Sequence, residues 1–264
     1  MKFKTSLIPK STLMKFQPLI SIITVVYNGA KTLEQTIQSV LNQTHENIEY
    51  IIIDGGSTDG TLKIIDKYKE HITYWVSEPD KGLYDAMNKG IRMAKGELIG
   101  MINSDDWYEP NAIELIVEAF KQNPEKKIFH GDRIDILGDG TKRLRRFHPS
   151  KFKFLYYGMT YNHPSMFFHR DIYKESFYNI NLKALSDYEF VLAQFLKNKN
   201  SFLYIPEAYV NYRLDGISAQ MKLKQSLSEG FISRKNAGQN IIQNCFAFTV
   251  RLSIFLVYKV RFSK

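Results

Sequence analysis

Between Leu19 and about Phe120, short apolar runs alternate with amphipathic segments, and this rhythm admits few folds. LISIITVVY, IEYIIIDG, ITYWVSEP and ELIGMIN are short and rich in β-branched or aromatic residues, as strands are. Between them, KTLEQTIQSVLNQ gathers Leu33, Ile37, Val40 and Leu41 on one helical face. TLKIIDKYK does the same with Leu62, Ile65 and Tyr68, and Ser57 or Asp59 offers it a cap. GLYDAMNKGIRMAKG aligns Leu83, Met87, Ile91 and Ala94 before Gly96 closes it, and NAIELIVEAFKQ follows the fourth strand behind Pro110. The predicted class is α/β, with a central, mostly parallel sheet flanked by helices.

Beyond residue 125 the rhythm breaks. KKIFHGDRIDIL, TYNHPSMFFHR and FLYIPEAYVNYRL read as strands, and SDYEFVLAQFLKN as a helix with Asp187 and Glu189 at the positive end of its dipole, so the second half is mixed. The last segment, FAFTVRLSIFLVYKVRF, has an apolar residue at every even position from Phe246 to Phe262, yet Ile254 to Val257 is apolar on both faces. Strand, docked helix and membrane-interface segment all remain open for it.

An apolar fraction of 44% excludes a disordered chain, and the single cysteine, Cys245, excludes an internal disulfide and a cysteine-based zinc site. Neither a secretory h-region nor about 18 consecutive apolar residues is present, so the expected location is cytoplasmic. The net charge of +9 is concentrated at the ends, since no acid precedes Glu34 or follows Glu229. Such ends suit an anionic surface, and peripheral attachment to the inner face of a membrane is one expectation. With no recognisable reading motif, nucleic acid is not expected as a partner.

In open α/β sheets, ligands bind outside the carboxyl ends of the strands. The segments leaving those ends are YNGA, DGGSTDG, SEPDKG and NSDDW. Adjacent carboxylates repel unless a cation compensates them, so Asp105 and Asp106 suggest a hard metal, Mg²⁺ or Mn²⁺, although an acidic turn capping the next helix has the same composition. Tyr27 offers a ring that suits a nucleobase, Asp54 precedes two glycines where a ligand can approach the backbone, and Lys81 can meet a diphosphate as a point charge. No GxxxxGK[ST] loop and no GxGxxG after a strand is present, which disfavours a P-loop nucleotidase and a dinucleotide enzyme.

The blocks SIITVVYN, IIIDGGSTDGT, SEPDKGLYDAMNKGI, GELIGMINSDDWYEPNA and SDYEF resemble, in order and spacing, glycosyltransferase family 2, the inverting nucleotide-sugar transferases of GT-A fold. The third block is similar in particular to bacterial members that build O-antigen, capsule or exopolysaccharide. The resemblance implies a GT-A domain over residues 18–215, divided into a nucleotide-sugar half (18–125) and an acceptor half (126–215), between a basic N-terminal extension (1–17) and a basic apolar C-terminal extension (216–264). It implies that Tyr27 and Asp54 hold the base, Asp105 the ribose or sugar side, and Asp106 the metal, with Asp105 beside it. Asp187 corresponds to the catalytic base, although Ser186 stands where many relatives carry an acid. His163, in YNHPSMFFHR, is placed to touch metal, diphosphate or acceptor.

The expected reaction moves a sugar from a nucleotide-diphosphate donor, UDP by resemblance, to a hydroxyl of a glycan or polyprenyl-linked acceptor. A cation held by Asp106 would neutralise the departing diphosphate, while a carboxylate removes the acceptor proton. The alternative is a non-catalytic nucleotide-sugar binder or scaffold of the same fold.

Overall fold

In the computed structural model, residues 17–214 and 222–262 are described, with side chains through Phe255. The N-terminal extension expected at 1–17 lies, but for Gln17, outside the described residues. The first half follows the expected alternation: β1 (Ile20–Val26), α1 (Leu33–Leu41), β2 (Ile48–Asp54), α2 (Thr61–Tyr68), β3 (Tyr74–Ser77), α3 (Leu83–Met93), β4 (Leu98–Asn103), a short β5 (Trp107–Tyr108) and α4 (Ala112–Gln122). The second half holds β6 (Ile128–Ile136), β7 (Lys142–Arg145), β8 (Phe167–His169), α5 (Ser186–Asn198), β9 (Phe202–Arg213), α6 (Leu223–Asn236) and α7 (Ile241–Phe262).

One sheet runs β3-β2-β1-β4-β8-β6-β9-β5, with β7 off this path, pairing Arg133–Ile136 of β6 beyond the part that β8 pairs. The first four strands are parallel, β8 is antiparallel to both neighbours, and β6 and β9 run parallel. Burial on both faces explains the near-continuous apolar strands. Alternate residues of β1 serve opposite cores. Ile20 and Ile22 pack with Leu33, Ile37 and Val40 of α1 and Ile113 and Ile116 of α4, whereas Ile23 and Val25 pack with Met87 and Ile91 of α3 and Val191 of α5. Since β1 lies between β2 and β4, its carboxyl end is the switch point where a crevice opens.

One element differs from the sequence reading, and two others are refined by the structure. Of TYNHPSMFFHR only Phe167–His169 is extended; His163–Ser165 form a 3₁₀ turn around Pro164, whose ring removes a ladder donor. β9 keeps Pro206 by shifting register, so that Ile205 pairs with Gly131 but Ala208 with Asp132. The C-terminal segment is helical, not extended. Phe246 of α7 packs edge-on against Phe152 and Tyr156, and Arg251 donates to Ser226 Oγ of α6, so tertiary contacts settle what the apolar alternation left open. Among the described residues, no helix is long and apolar enough to cross a membrane.

Candidate active site

At the carboxyl end of β1 the chain turns through Asn28, whose φ of 51° lies in the left-handed region. The turn is held to the loop after β2 by Asn28 N donating to Ser57 Oγ at 2.7 Å and by Thr58 N donating to Asn28 Oδ1 at 2.9 Å. These bonds offset the backbone strain and leave Tyr27, 65% exposed, on the rim. A Cβ placed on Gly55 would lie 3.5 Å from the Tyr27 ring and collide with Asp80, so the glycine keeps this corner open.

Asp54 ends β2 and is 0% exposed. Its Oδ2 accepts from Gly56 N at 3.1 Å, Ser57 N at 2.9 Å and Ser77 Oγ at 2.6 Å, and its Oδ1 from Ser57 Oγ. The carboxylate is therefore committed to folding the DGGS turn. The SEPDKG loop lies over that turn, with Glu78 N donating to Asp54 O and Pro79 beside Gly56. Lys81 is exposed at the start of α3, where its amide donates to Asp85 Oδ2.

Beyond β4, Ser104 lies against Gly29 of the first turn, 3.2 Å from where a Cβ would stand. The two adjacent acids then part company. Asp106 is 1% exposed, with Oδ1 accepting from Arg213 N at 3.0 Å and Oδ2 from Asn103 Nδ2 at 3.3 Å. Burial, then the neighbouring Asp105 charge, pushes its carboxyl well above the usual carboxylate range, against the pull of those two donors. Asp105 is half-buried, and its carbonyl accepts from the Arg213 guanidinium. Among the described residues, no group of three or more His, Cys, Asp or Glu forms an all-protein cage. A hard cation held by one or two carboxylates, water and substrate phosphate needs no such cage, and a buried carboxylate crowded by another acid favours exactly that charge partner.

A cleft of about 990 Å³ lies between α3, the β6–β7 hairpin and α7, lined by Tyr84, Asn103, His163, Asp187 and Tyr212 among others. Asp187 stands in the first turn of α5. Tyr188 N at 2.7 Å and Tyr84 Oη at 3.3 Å both donate to its Oδ1. Burial raises its carboxyl above the usual range, while His163, Tyr188 N and Tyr84 pull it down. Burial also holds His163 below the ordinary imidazole range against the pull of Asp187, and His163 Nε2 meets Tyr178 Oη at 2.9 Å. Ser186 is fully buried and accepts from Asn179 N, so an acid at this position would not face the cleft.

The structure thus brings Tyr27 and the Asp54 turn together at the β1 switch point, with Lys81 at its edge, and Asp187 and His163 together in the cleft. Tyr27, Asp54, Lys81, Asp105 and Asp106 do not line that cleft, whereas Tyr212 does. Its hydroxyl is raised by burial, then by Asp106, with Asp105 and Asp187 adding to the effect and Arg133 opposing it. The Arg133 guanidinium sits 4.1 Å from the centroid of that ring. Tyr84, Arg133 and Tyr212 are not singled out by sequence reasoning. Tyr84 was within reach because it lies inside the SEPDKGLYDAMNKGI block, whereas Arg133 and Tyr212 meet only through the shifted β6–β9 register.

Residues 21–177 match the family described as glycosyl transferase family 2. The chain is 34% identical over 183 residues to an uncharacterised glycosyltransferase of Mycobacterium tuberculosis, covering 68% of this chain and 70% of that protein. It is 38% identical over 116 residues to chondroitin synthase of Escherichia coli, covering 43% of this chain but only 17% of the synthase. In three dimensions it resembles TarS of S. aureus in complex with UDP, with a TM-score of 0.66, 17% identity, and coverage of 89% of this chain and 70% of the other. It also resembles the mannosyltransferase PcManGT of Pyrobaculum calidifontis in complex with GDP-Man and Mn²⁺, with a TM-score of 0.59, 14% identity, and coverage of 90% and 70%. These likenesses establish the GT-A fold.

Proposed function

The chain belongs to glycosyltransferase family 2, and from that premise we propose that it transfers a sugar, with inversion, from a UDP-linked donor to a hydroxyl of a glycan or lipid-linked acceptor in bacterial surface polysaccharide synthesis. The observation that supports this reading is Tyr212, which lines the cleft with Asp187 and lies within electrostatic reach of Asp105 and Asp106, acids that do not themselves line it. The complexes of the structural neighbours with UDP, or with GDP-Man and Mn²⁺, support a nucleotide-sugar donor and a divalent cation.

In this reading the exposed Tyr27 ring stacks on the base, and the backbone of the DGGS turn, fixed by Asp54, lines the other side. Asp54 thereby acts by positioning the turn. Asp105 faces the ribose or sugar, Lys81 adds charge near the diphosphate, and Asp106, with Asp105 beside it, holds Mn²⁺ or Mg²⁺. When bound, the cation supplies Lewis-acid neutralisation of the leaving diphosphate. Asp187 Oδ1 is anchored by Tyr84 and Tyr188, leaving Oδ2 to take the acceptor proton. As that proton leaves, the acceptor oxygen bonds to the anomeric carbon and the bond to the diphosphate oxygen breaks on the opposite face. A carboxyl raised by burial is a better proton acceptor than an exposed one. His163, held neutral and bonded to Tyr178, orients the acceptor beside it.

Transfer assays with Asp187→Asn test the assignment against a non-catalytic binder. An enzyme loses turnover and keeps UDP binding. A protein that shows no transfer before or after the substitution, with any UDP-sugar and either cation, is a binder.

A further inference from the structure

Helix α7 is packed along one side and bare along the other. Asn244, which donates to Phe231 O of α6 at 2.8 Å and accepts from Arg234 Nε at 3.0 Å, is buried, as is Ala247. Ile242, Cys245, Phe246 and Thr249 recur at i, i+3, i+4 and i+7 on the outward side, and all are exposed. Ile242 is 78% exposed, Ile241 beside it 64% and Phe246 47%. Phe246 meets Phe152, itself 53% exposed, edge-on with ring centroids 6.2 Å apart, so the apolar surface continues from the helix onto the body. Single exposed apolar side chains need no explanation, but a contiguous group on a helix face marks a contact surface.

The two stretches of chain that build this surface carry charge of one sign. No acid occurs between Asp139 and Asp171, the stretch that holds Phe152, or after Glu229, the stretch that holds α7. Lys151 and Lys153 flank Phe152 in sequence and are exposed, as is Lys235 in the last turn of α6, just ahead of α7. A second copy of the chain seated here by two-fold symmetry would set the same cations against each other, since such a contact pairs a patch with itself. An anionic lipid surface meets both parts of the pattern: its headgroups take the lysines, and its acyl boundary takes the isoleucines and phenylalanines.

We propose that the outward face of α7, together with Phe152, is a docking surface for a bilayer that contains anionic headgroups, on which the helix lies without crossing. Phe152 also lines the cleft that contains Asp187, so docking holds that cleft at the lipid surface. The inference goes beyond the transfer reading and does not depend on it: the face is the same whether the cleft transfers a sugar or only binds one.

Co-sedimentation of the full chain with vesicles tests this, one set of phosphatidylcholine alone and one of phosphatidylcholine mixed with phosphatidylglycerol. The mixed vesicles are expected to bind the protein at least about 10-fold more strongly, as two cations near an anionic surface would give, and added salt should remove most of that preference. Replacing Ile241→Ser and Ile242→Ser together, both at exposed positions, should weaken binding to the mixed vesicles by about 10-fold or more while the melting temperature stays as in wild type. Lys151→Gln with Lys153→Gln, also exposed, should narrow the preference for the mixed vesicles. Equal binding to both kinds of vesicle, binding to neither, or a folded serine or glutamine variant that binds as wild type does overturns the inference. Titration of UDP with Mn²⁺ reports on the donor reading separately, so one failure is not mistaken for the other.

Discussion

Tyr84 Oη donates to Asp187 Oδ1 at 3.3 Å, joining α3 of the first half to the first turn of α5 in the second. The bond crosses the cleft floor and ties the candidate base to the helix that follows the SEPDKG loop. Tyr84 also stacks on Tyr178, which meets His163, so one chain of contacts fixes the positions of both cleft residues.

This bond predicts a pH effect. Tyr84 lowers the Asp187 carboxyl against burial, so Tyr84→Phe should raise it further. A base works only when deprotonated, and activity falls as pH drops through its pKa. The acidic limb of the kcat profile should therefore move to higher pH in Y84F, while the UDP dissociation constant stays as in wild type. An unmoved limb would show that Asp187 is not the titrating base.

Asp187→Asn should reduce kcat by about 10²- to 10⁴-fold, the usual contribution of a positioned base. Donor binding should persist, because in the proposed reading Asp187 takes the acceptor proton and does not hold the nucleotide. Steady-state transfer assays combined with UDP titration check both halves of this expectation.

Tyr27→Ala should weaken UDP by about 1–3 kcal/mol, the usual value of stacking one base on an aromatic ring, while Tyr27→Phe should keep most of the affinity. The ring is exposed, so neither change should alter the melting temperature appreciably. Fluorescence or calorimetric titration separates these cases.

The buried Asp106 predicts a trade between stability and function. Its folded pKa lies above that of the unfolded chain, so its stabilising effect belongs to the protonated form and is lost as pH rises from the unfolded to the folded pKa. Near neutral pH, in the absence of cation, Asp106→Asn should melt no lower than wild type. Mn²⁺ with UDP should then raise the melting temperature of wild type but not of D106N.

Much of the first half was legible because its signals are local. The runs that form β1, β2 and β4 are apolar because both faces of the sheet are covered, and α1 and α3 show their buried faces as i, i+4 spacings. α7 was ambiguous because alternation along FAFTVRLSIFLVYKVRF fits a strand, and only its packing on Phe152 and Tyr156 chooses the helix. Asp54, Asp106 and Asp187 stand out in sequence because each lies at or beside the end of an element. The share of Asp54's hydrogen bonding that comes from Ser77 could not be read that way, since Ser77 arrives from β3. Arg145 faces Arg133 through a hairpin register that no periodicity announces.

The most direct test of the central claim is calorimetric titration of UDP, with and without Mn²⁺, into wild type, D106N and D187N. The account predicts binding strengthened by the cation in wild type and D187N and loss of that strengthening in D106N. Cation-independent binding that is identical in all three proteins, or no binding to any of them, would contradict it.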